Sequence, residues 1–131
     1  MKKIASFLRF PMAIIALMLA HSYTTNAQNA VAPAAFEAKI AKPNVQLVDV
    51  RTPQEFANGH LEGAKNVNFN DAEFKQKIGA LNKSQPIAVY CAAGGRSGKT
   101  AKILAELGFK DITDLAGGIT AWLAVNKKVV K

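Results

Sequence analysis

The chain holds one cysteine in 131 residues, and it stands in CAAGGRS, residues 91–97, directly after the apolar run PIAVY. The thiolate is the nucleophile in cysteine chemistry, and a free thiol with a pKa of about 8.5 is mostly protonated near neutrality. The residues around Cys91 are of the kinds that favour the anion. Gly94 and Gly95 take positive φ at little steric cost, which lets loop N–H groups converge on one atom. Arg96 adds a permanent cation and Ser97 a hydroxyl donor. A helix predicted to begin at about Ser97 turns its unpaired N–H groups and positive end toward the same turn. The segment therefore reads as an anion cradle, with Cys91 catalytic and Ala92, Ala93, Gly94, Gly95, Arg96 and Ser97 binding the substrate. The competing reading makes Cys91 the buried last residue of a strand, packed as a small hydrophobe.

A second group lies upstream in DVRTPQEFANGH, residues 49–60. Arg51 is a candidate for assisting anion binding. Asp49, Arg51 and Glu55 together suggest a hydrogen-bonded, ion-paired network that fixes the loops, and His60 joins them as a supporting residue. A thiolate already ionised by its own loop needs no general base, so His60 is not assigned catalysis. One histidine and one cysteine make a poor metal site, and the chemistry calls for no cofactor.

These residues need a scaffold that brings distant segments to one mouth. Ala34 to Ala41 has helical spacing and ends at Pro43-Asn44. VQLVDV, residues 45–50, is a β-branched run suited to a strand buried on both faces. TPQEFANG predicts a short helix with Thr52 as N-cap and Gly59 as its stop. Asn66 to Phe69 suggests a small strand, and a helix from Asp71 to Leu81 would bury Phe74, Ile78 and Leu81. Pro86 to Tyr90 and Asp111 to Leu115 read as further strands. A helix over 97–108 presents Ala101, Leu104, Ala105 and Leu107, and a closing helix over 119–125 follows the Gly117-Gly118 turn. Strands alternating with helices at these intervals predict an α/β/α three-layer fold with a mainly parallel sheet, whose sites lie at strand carboxyl ends. Asp49-Val50-Arg51 and Cys91 each fall at such an end.

Residues 1–27 have the form of a cleaved secretory signal: Lys2, Lys3 and Arg9, an apolar stretch of 11 residues from Phe10 to Ala20, then Thr25-Asn26-Ala27 before the cut. A membrane-spanning helix needs about 20 apolar residues, so no stable insertion is expected after cleavage. Export predicts a periplasmic location if the source is a Gram-negative bacterium. Residues 28–33 read as a flexible lead-in, and 34–131 as one domain, too short for two cores. Removing three of 17 basic residues leaves 14 against 9 acidic ones, a charge of +5. That balance suits small anionic partners and, in an exported chain, argues against nucleic acid. An exported chain with a single cysteine forms no internal disulfide, so the unpaired thiol points to reactivity.

The loop CAAGGRS resembles that of the rhodanese-like sulfurtransferases, in particular their small exported single-domain members. LVDVRTPQEFANGHLEGAKNVNF is similar to the family's upstream signature, with Asp49, Arg51, Glu55, Phe56, Gly59, His60, Gly63, Ala64 and Asn66 in place. LAGGITAW is similar to its glycine pair and tryptophan, here Gly117, Gly118 and Trp122. The resemblance implies that Cys91 takes a sulfane sulfur from a small anionic donor such as thiosulfate, becomes a persulfide, and passes the sulfur to a thiol or cyanide acceptor. It also implies a structural His60, and the chain is expected to act as a monomer. Ala92 and Ala93 depart from thiosulfate-using relatives, which often carry basic or polar side chains there. Arg96 is thus the loop's one charged side chain, with Lys99 nearby. Rival readings are a persulfide carrier or partner-binding module with slow turnover, and a cysteine-dependent phosphatase or arsenate reductase. The latter's loops usually place five residues between Cys and Arg, whereas Ala92 to Gly95 are four. A thioredoxin-like oxidoreductase lacks its second cysteine here.

Overall fold

The structure is a computed structural model, and it describes residues 29–131; the predicted signal, 1–27, lies outside the described residues. The elements in chain order are β1 (Asn29–Val31), α1 (Pro33–Ile40), β2 (Gln46–Asp49), α2 (Pro53–Ala57), β3 (Lys65–Asn66), α3 (Phe74–Gly79), β4 (Ile87–Tyr90), α4 (Gly95–Glu106), β5 (Ile112–Leu115) and α5 (Gly118–Ala124). The strands form one sheet in the order β1-β5-β4-β2-β3, with every pairing parallel.

Alternation along β4 divides the core. Ile87 and Val89 pack on one face with Phe74, Ile78, Ala101 and Leu104 of α3 and α4. Ala88 and Tyr90 pack on the other with Phe36 of α1, and Ile119 and Trp122 of α5. Successive strand residues point to opposite faces, so a run with both faces covered reads as uniformly apolar. Cys91 continues the alternation and falls on the α4 face. The predicted three-layer architecture is the one observed.

Several boundaries move, for identifiable reasons. The lead-in 28–33 is corrected: residues 29–31 are strand β1, which adds to the edge of β5 with Val31 opposite Leu115. The Ala116 N–H then donates to the Val31 carbonyl at 2.9 Å, and Pro33 opens α1 immediately afterward. The helix expected from Asp71 begins at Phe74, because the Asp71 carboxylate accepts the Glu73 N–H at 2.8 Å and folds 71–73 into a turn. Strand pairing at β3 covers only Lys65–Asn66, but the Val67 and Phe69 N–H groups still donate to Asp49 and Val50 carbonyls. Helix α4 starts at Gly95, two residues earlier than predicted.

The register sets the site. Asp49 of β2 lies directly beside Tyr90 of β4, so the two strands end together and Arg51 and Cys91 leave the sheet at one edge. β5 lies on the other side of β4, and its exit through Ala116 and Gly117 into α5 closes the mouth from that side.

Candidate active site

Cys91 is almost fully buried at the end of β4, with 1% of its surface exposed. The chain then turns through Ala92, Ala93 and Gly94 into α4. Gly94 is the N-cap, with φ 112° and ψ −14°, a conformation that favours glycine. Its N–H donates to the Cys91 Sγ at 3.0 Å, and its carbonyl accepts the Gly98 N–H at 2.9 Å. Gly95, which was expected to share the positive φ, is instead the first helical residue and does not adopt it. One left-handed residue is enough to reverse the chain and aim the loop amides inward.

Two opposing effects act on the thiol. Burial disfavours the anion, but the Ser97 hydroxyl and the N–H groups of Ser97, Gly94 and Ala93 outweigh it and hold the Cys91 thiol below its ordinary range. These amides belong to the loop and the first turn of α4, where helix N–H groups have no internal partner. Ser97 is fully buried, and its hydroxyl also lies 3.3 Å from the Gly94 carbonyl.

Arg96 does not stand free. Its Nη1 and Nη2 donate to Oε1 and Oε2 of Glu55 at 2.7 and 3.0 Å, a two-pronged pair between α4 and α2. Glu55 is also the N3 residue of a capping box on α2, accepting from the Thr52 N–H while the Thr52 hydroxyl accepts the Glu55 N–H. The Arg96 hydrogen bonds are the largest influence on Glu55 and hold its carboxyl down at about 2. The role of anion-holding side chain expected for Arg96 is therefore revised: its charge is largely balanced, and it ties the cysteine loop to α2. Lys99, one turn into α4, is exposed.

Arg51 is also corrected. It is 6% exposed and turned into the protein, where Nε and Nη2 donate to the Asp49 carboxylate and Nη2 also reaches the Gly59 carbonyl at 2.7 Å. Asp49 is fully buried and accepts the Arg51 N–H as well. The guanidinium lies over the Tyr90 ring, 5.7 Å from its centroid. These bonds commit Arg51 to fixing the loop after β2. The single network expected of Asp49, Arg51 and Glu55 is two separate pairs, Asp49–Arg51 in the interior and Glu55–Arg96 near the surface.

His60 stacks on Phe56 with ring centroids 3.7 Å apart, and its Nδ1 lies 2.8 Å from the Phe56 carbonyl. Its backbone exchanges two hydrogen bonds with Val130, which pins the C-terminal segment. The side chain fastens the end of α2.

The Gly117-Gly118 pair does more than turn the chain. The Ile119 N–H donates to the Cys91 carbonyl at 2.9 Å and the Thr120 N–H to the Ala92 carbonyl at 3.1 Å. The N-terminus of α5 thus holds the first two peptides of the cysteine loop. A β-carbon on Gly118 would fall 2.4 Å from the Cys91 oxygen and 2.5 Å from the Ala92 oxygen. Asp114, one residue before the end of β5, is a further buried polar side chain, facing Gly98 in the first turn of α4, that the sequence did not bring forward. Among the described residues no cluster of three or more His, Cys, Asp or Glu side chains is placed to hold a metal, and no helix is long and apolar enough to cross a membrane.

The arrangement offers a buried sulfur, its thiol held below the ordinary range by neutral donors, at the carboxyl edge of a parallel sheet. Comparison with known proteins agrees with it. The rhodanese-like domain family matches residues 32–125. Over 83 residues the chain is 39% identical to thiosulfate sulfurtransferase GlpE of Shewanella oneidensis, covering 63% of this chain and 80% of that protein. It is 32% identical over 113 residues to the uncharacterized protein YqhL of Bacillus subtilis, covering 86% of each. The crystal structure of a rhodanese-related protein from Thermoplasma volcanium superposes with a TM-score of 0.69 at 29% identity, covering 78% of this chain and 97% of the other. With nearly all of the described chain matched, the protein belongs to the rhodanese-like family.

Proposed function

We propose that the chain is a sulfurtransferase that moves a sulfane sulfur from an anionic donor such as thiosulfate to a thiol or cyanide acceptor, with Cys91 as the carrier. The observation behind this reading is the Gly94 N–H at 3.0 Å from the Cys91 Sγ, within a loop whose further amides lower the same thiol. The thiolate attacks the outer sulfur of the donor. The new S–S bond forms as the donor's sulfur–sulfur bond breaks, and sulfite leaves with the electron pair. The outer sulfur of the Cys91 persulfide then carries the negative charge. An acceptor thiolate or cyanide attacks that atom, and Cys91 departs as the thiolate. This is covalent catalysis in two steps, with ping-pong kinetics.

The cradle suits both halves of the cycle because it stabilises one negative charge at or next to Sγ throughout. Preorganised amides need no rearrangement as the charge moves from one sulfur to the next. Relatives named thiosulfate sulfurtransferases support the donor class. Ala92 and Ala93 offer no charge to a donor, and Arg96 is shared with Glu55, so the oxyanion end must be met chiefly by backbone N–H groups and the positive end of α4. The same balanced arginine favours a second reading, a persulfide carrier with slow turnover on small donors. Export belongs to the proposal too, on the strength of the basic start and the short apolar stretch of residues 1–27.

The test is intact mass after incubation with thiosulfate. One added sulfur on Cys91, removed by cyanide and absent in Cys91→Ser, supports transfer. Repeated cycles with cyanide mark an enzyme, and loading without turnover marks a carrier. No adduct with any sulfane donor overturns both.

A further inference from the structure

The described residues contain two arginines, Arg51 and Arg96, and each meets a carboxylate. Arg51 is committed to Asp49 in the interior. Arg96 stands in the first turn of α4, between Gly94, whose N–H meets the Cys91 sulfur, and the buried Ser97. It is the arginine closest along the chain to a ligand at Cys91, and its fork is already filled. Glu55 takes Nη1 at 2.7 Å and Nη2 at 3.0 Å.

Glu55 is more than a surface carboxylate that happens to lie nearby. Its Oε1 also accepts from the Thr52 N–H at 3.3 Å and from the Thr52 hydroxyl at 3.2 Å. The capping box of α2 thus holds the carboxylate from its own helix, without help from Arg96. An arriving oxyanion competes with this positioned group for the same two N–H donors. Glu55 is held at about 2, so it keeps its charge at any working pH. The pair is neutral, and Ala92 and Ala93 add no charge, so the cysteine loop presents no unbalanced side-chain cation. Lys99 and Lys102 are exposed side chains farther along α4. The Cys91 thiolate is itself negative, and a doubly charged donor meets more repulsion there than a singly charged one.

We propose that Glu55 is a specificity-determining residue: by filling the Arg96 fork it turns the site toward singly charged sulfane donors, organic thiosulfonates and persulfides, and away from the doubly charged thiosulfate ion. The proposal rests on Cys91 as the sulfur carrier and narrows the donor it takes. The Cys91 thiolate attacks the outer sulfur of such a donor. The new S–S bond forms as the donor's sulfur–sulfur bond breaks, and a sulfinate, or a thiolate in the case of a persulfide, leaves with the electron pair. One negative charge arrives with the donor and one departs with the leaving group, whereas thiosulfate brings two and sheds two as sulfite.

The test compares thiosulfate with benzenethiosulfonate, which offers the same outer sulfur with one charge fewer. The second-order rate at which each loads Cys91 is followed by intact mass. Gln at position 55 keeps the acceptor of the capping box and removes the charge. In Glu55→Gln the thiosulfate rate should rise relative to the benzenethiosulfonate rate by roughly tenfold, the effect of one uncovered positive charge on one extra ligand charge. Adding Arg96→Gln should return the ratio to its wild-type value. A purely structural role would change both rates by a common factor, and that result overturns the proposal, as does a ratio that stays high in the double variant. Alkylation of Cys91 makes the same comparison without a sulfur donor: in Glu55→Gln the iodoacetate rate should rise roughly tenfold against the iodoacetamide rate. That rise in a protein that no sulfane donor loads would keep Glu55 as the charge filter and discard sulfur transfer. Loading by both donors with neither ratio moved would keep sulfur transfer and discard the filter.

Discussion

Adding a single methyl group at Gly118 should damage this site more than most changes to its exposed side chains. The residue sits at φ 61°, and the new β-carbon would lie 2.4, 2.5 and 2.6 Å from the Cys91 oxygen, the Ala92 oxygen and the Ala92 carbonyl carbon. All three are backbone atoms of the cysteine loop, so no side chain can swing away to relieve the overlap. Either α5 or the loop must withdraw, and the Ile119 and Thr120 hydrogen bonds to that loop are lost. Two buried hydrogen bonds at ~1 kcal/mol each, with ~1–2 kcal/mol for a side chain in the left-handed region, give a cost of about 3–4 kcal/mol. Urea unfolding of Gly118→Ala should show a midpoint lower by roughly 1–4 M with an unchanged slope, for slopes of about 1–3 kcal/mol/M. Gly95→Ala is the control, because it lies in the first turn of α4 with open space around it and no positive φ. That substitution should be neutral or stabilising by up to ~1 kcal/mol. If Gly118→Ala proves as stable as Gly95→Ala, the α5 contact does not hold the loop and the reasoning fails.

Two further changes separate the ion pairs. Arg51→Ala leaves Asp49 buried without its partner and should cost ~3–5 kcal/mol in urea unfolding, whereas Asp49→Asn combined with Arg51→Met should recover much of the loss. Failure of the double variant to recover would mean that the charges are not the source of the cost. Glu55, held at about 2, binds its proton less tightly when folded than in the unfolded chain. Its contribution is thus present above the unfolded carboxylate range near 4.3 and disappears as the pH falls through about 2. For a partly exposed pair this amounts to ~0.2–1 kcal/mol, and unfolding of Glu55→Gln compared with wild type between those pH values should lack that decline. An identical pH dependence in the two proteins would contradict the role given to the Arg96 pair.

The parts of the fold that local sequence determines were legible before any coordinates. VQLVDV and PIAVY carry enough apolar and β-branched residues to announce buried strands, and the turn after each one follows from the residues in it. β1 was not legible, because three residues with no alternation become a strand only when the edge of β5 is offered to them. The pairing of charges was not legible for a similar reason. Asp49, Arg51, Glu55 and Arg96 were all singled out, but which carboxylate meets which guanidinium depends on the packing of α2 against α4, with 41 residues separating Glu55 from Arg96. Gly118 looked like half of a turn, and its contact with the Cys91 carbonyl requires α5 to arrive from across the sheet. Asp114 read as a polar residue in a short strand. It becomes a buried group beside Gly98 because the first turn of α4 covers it.

The central claim is that the Ser97 hydroxyl and the loop amides together hold the Cys91 thiol below its ordinary range, and the pH dependence of its alkylation by iodoacetamide tests it most directly. The rate should already be substantial well below the ordinary thiol range near 8.5 and should fall there in Ser97→Ala, which removes one of the donors. A wild-type profile that rises only at or above that range, unchanged in Ser97→Ala, would contradict the account.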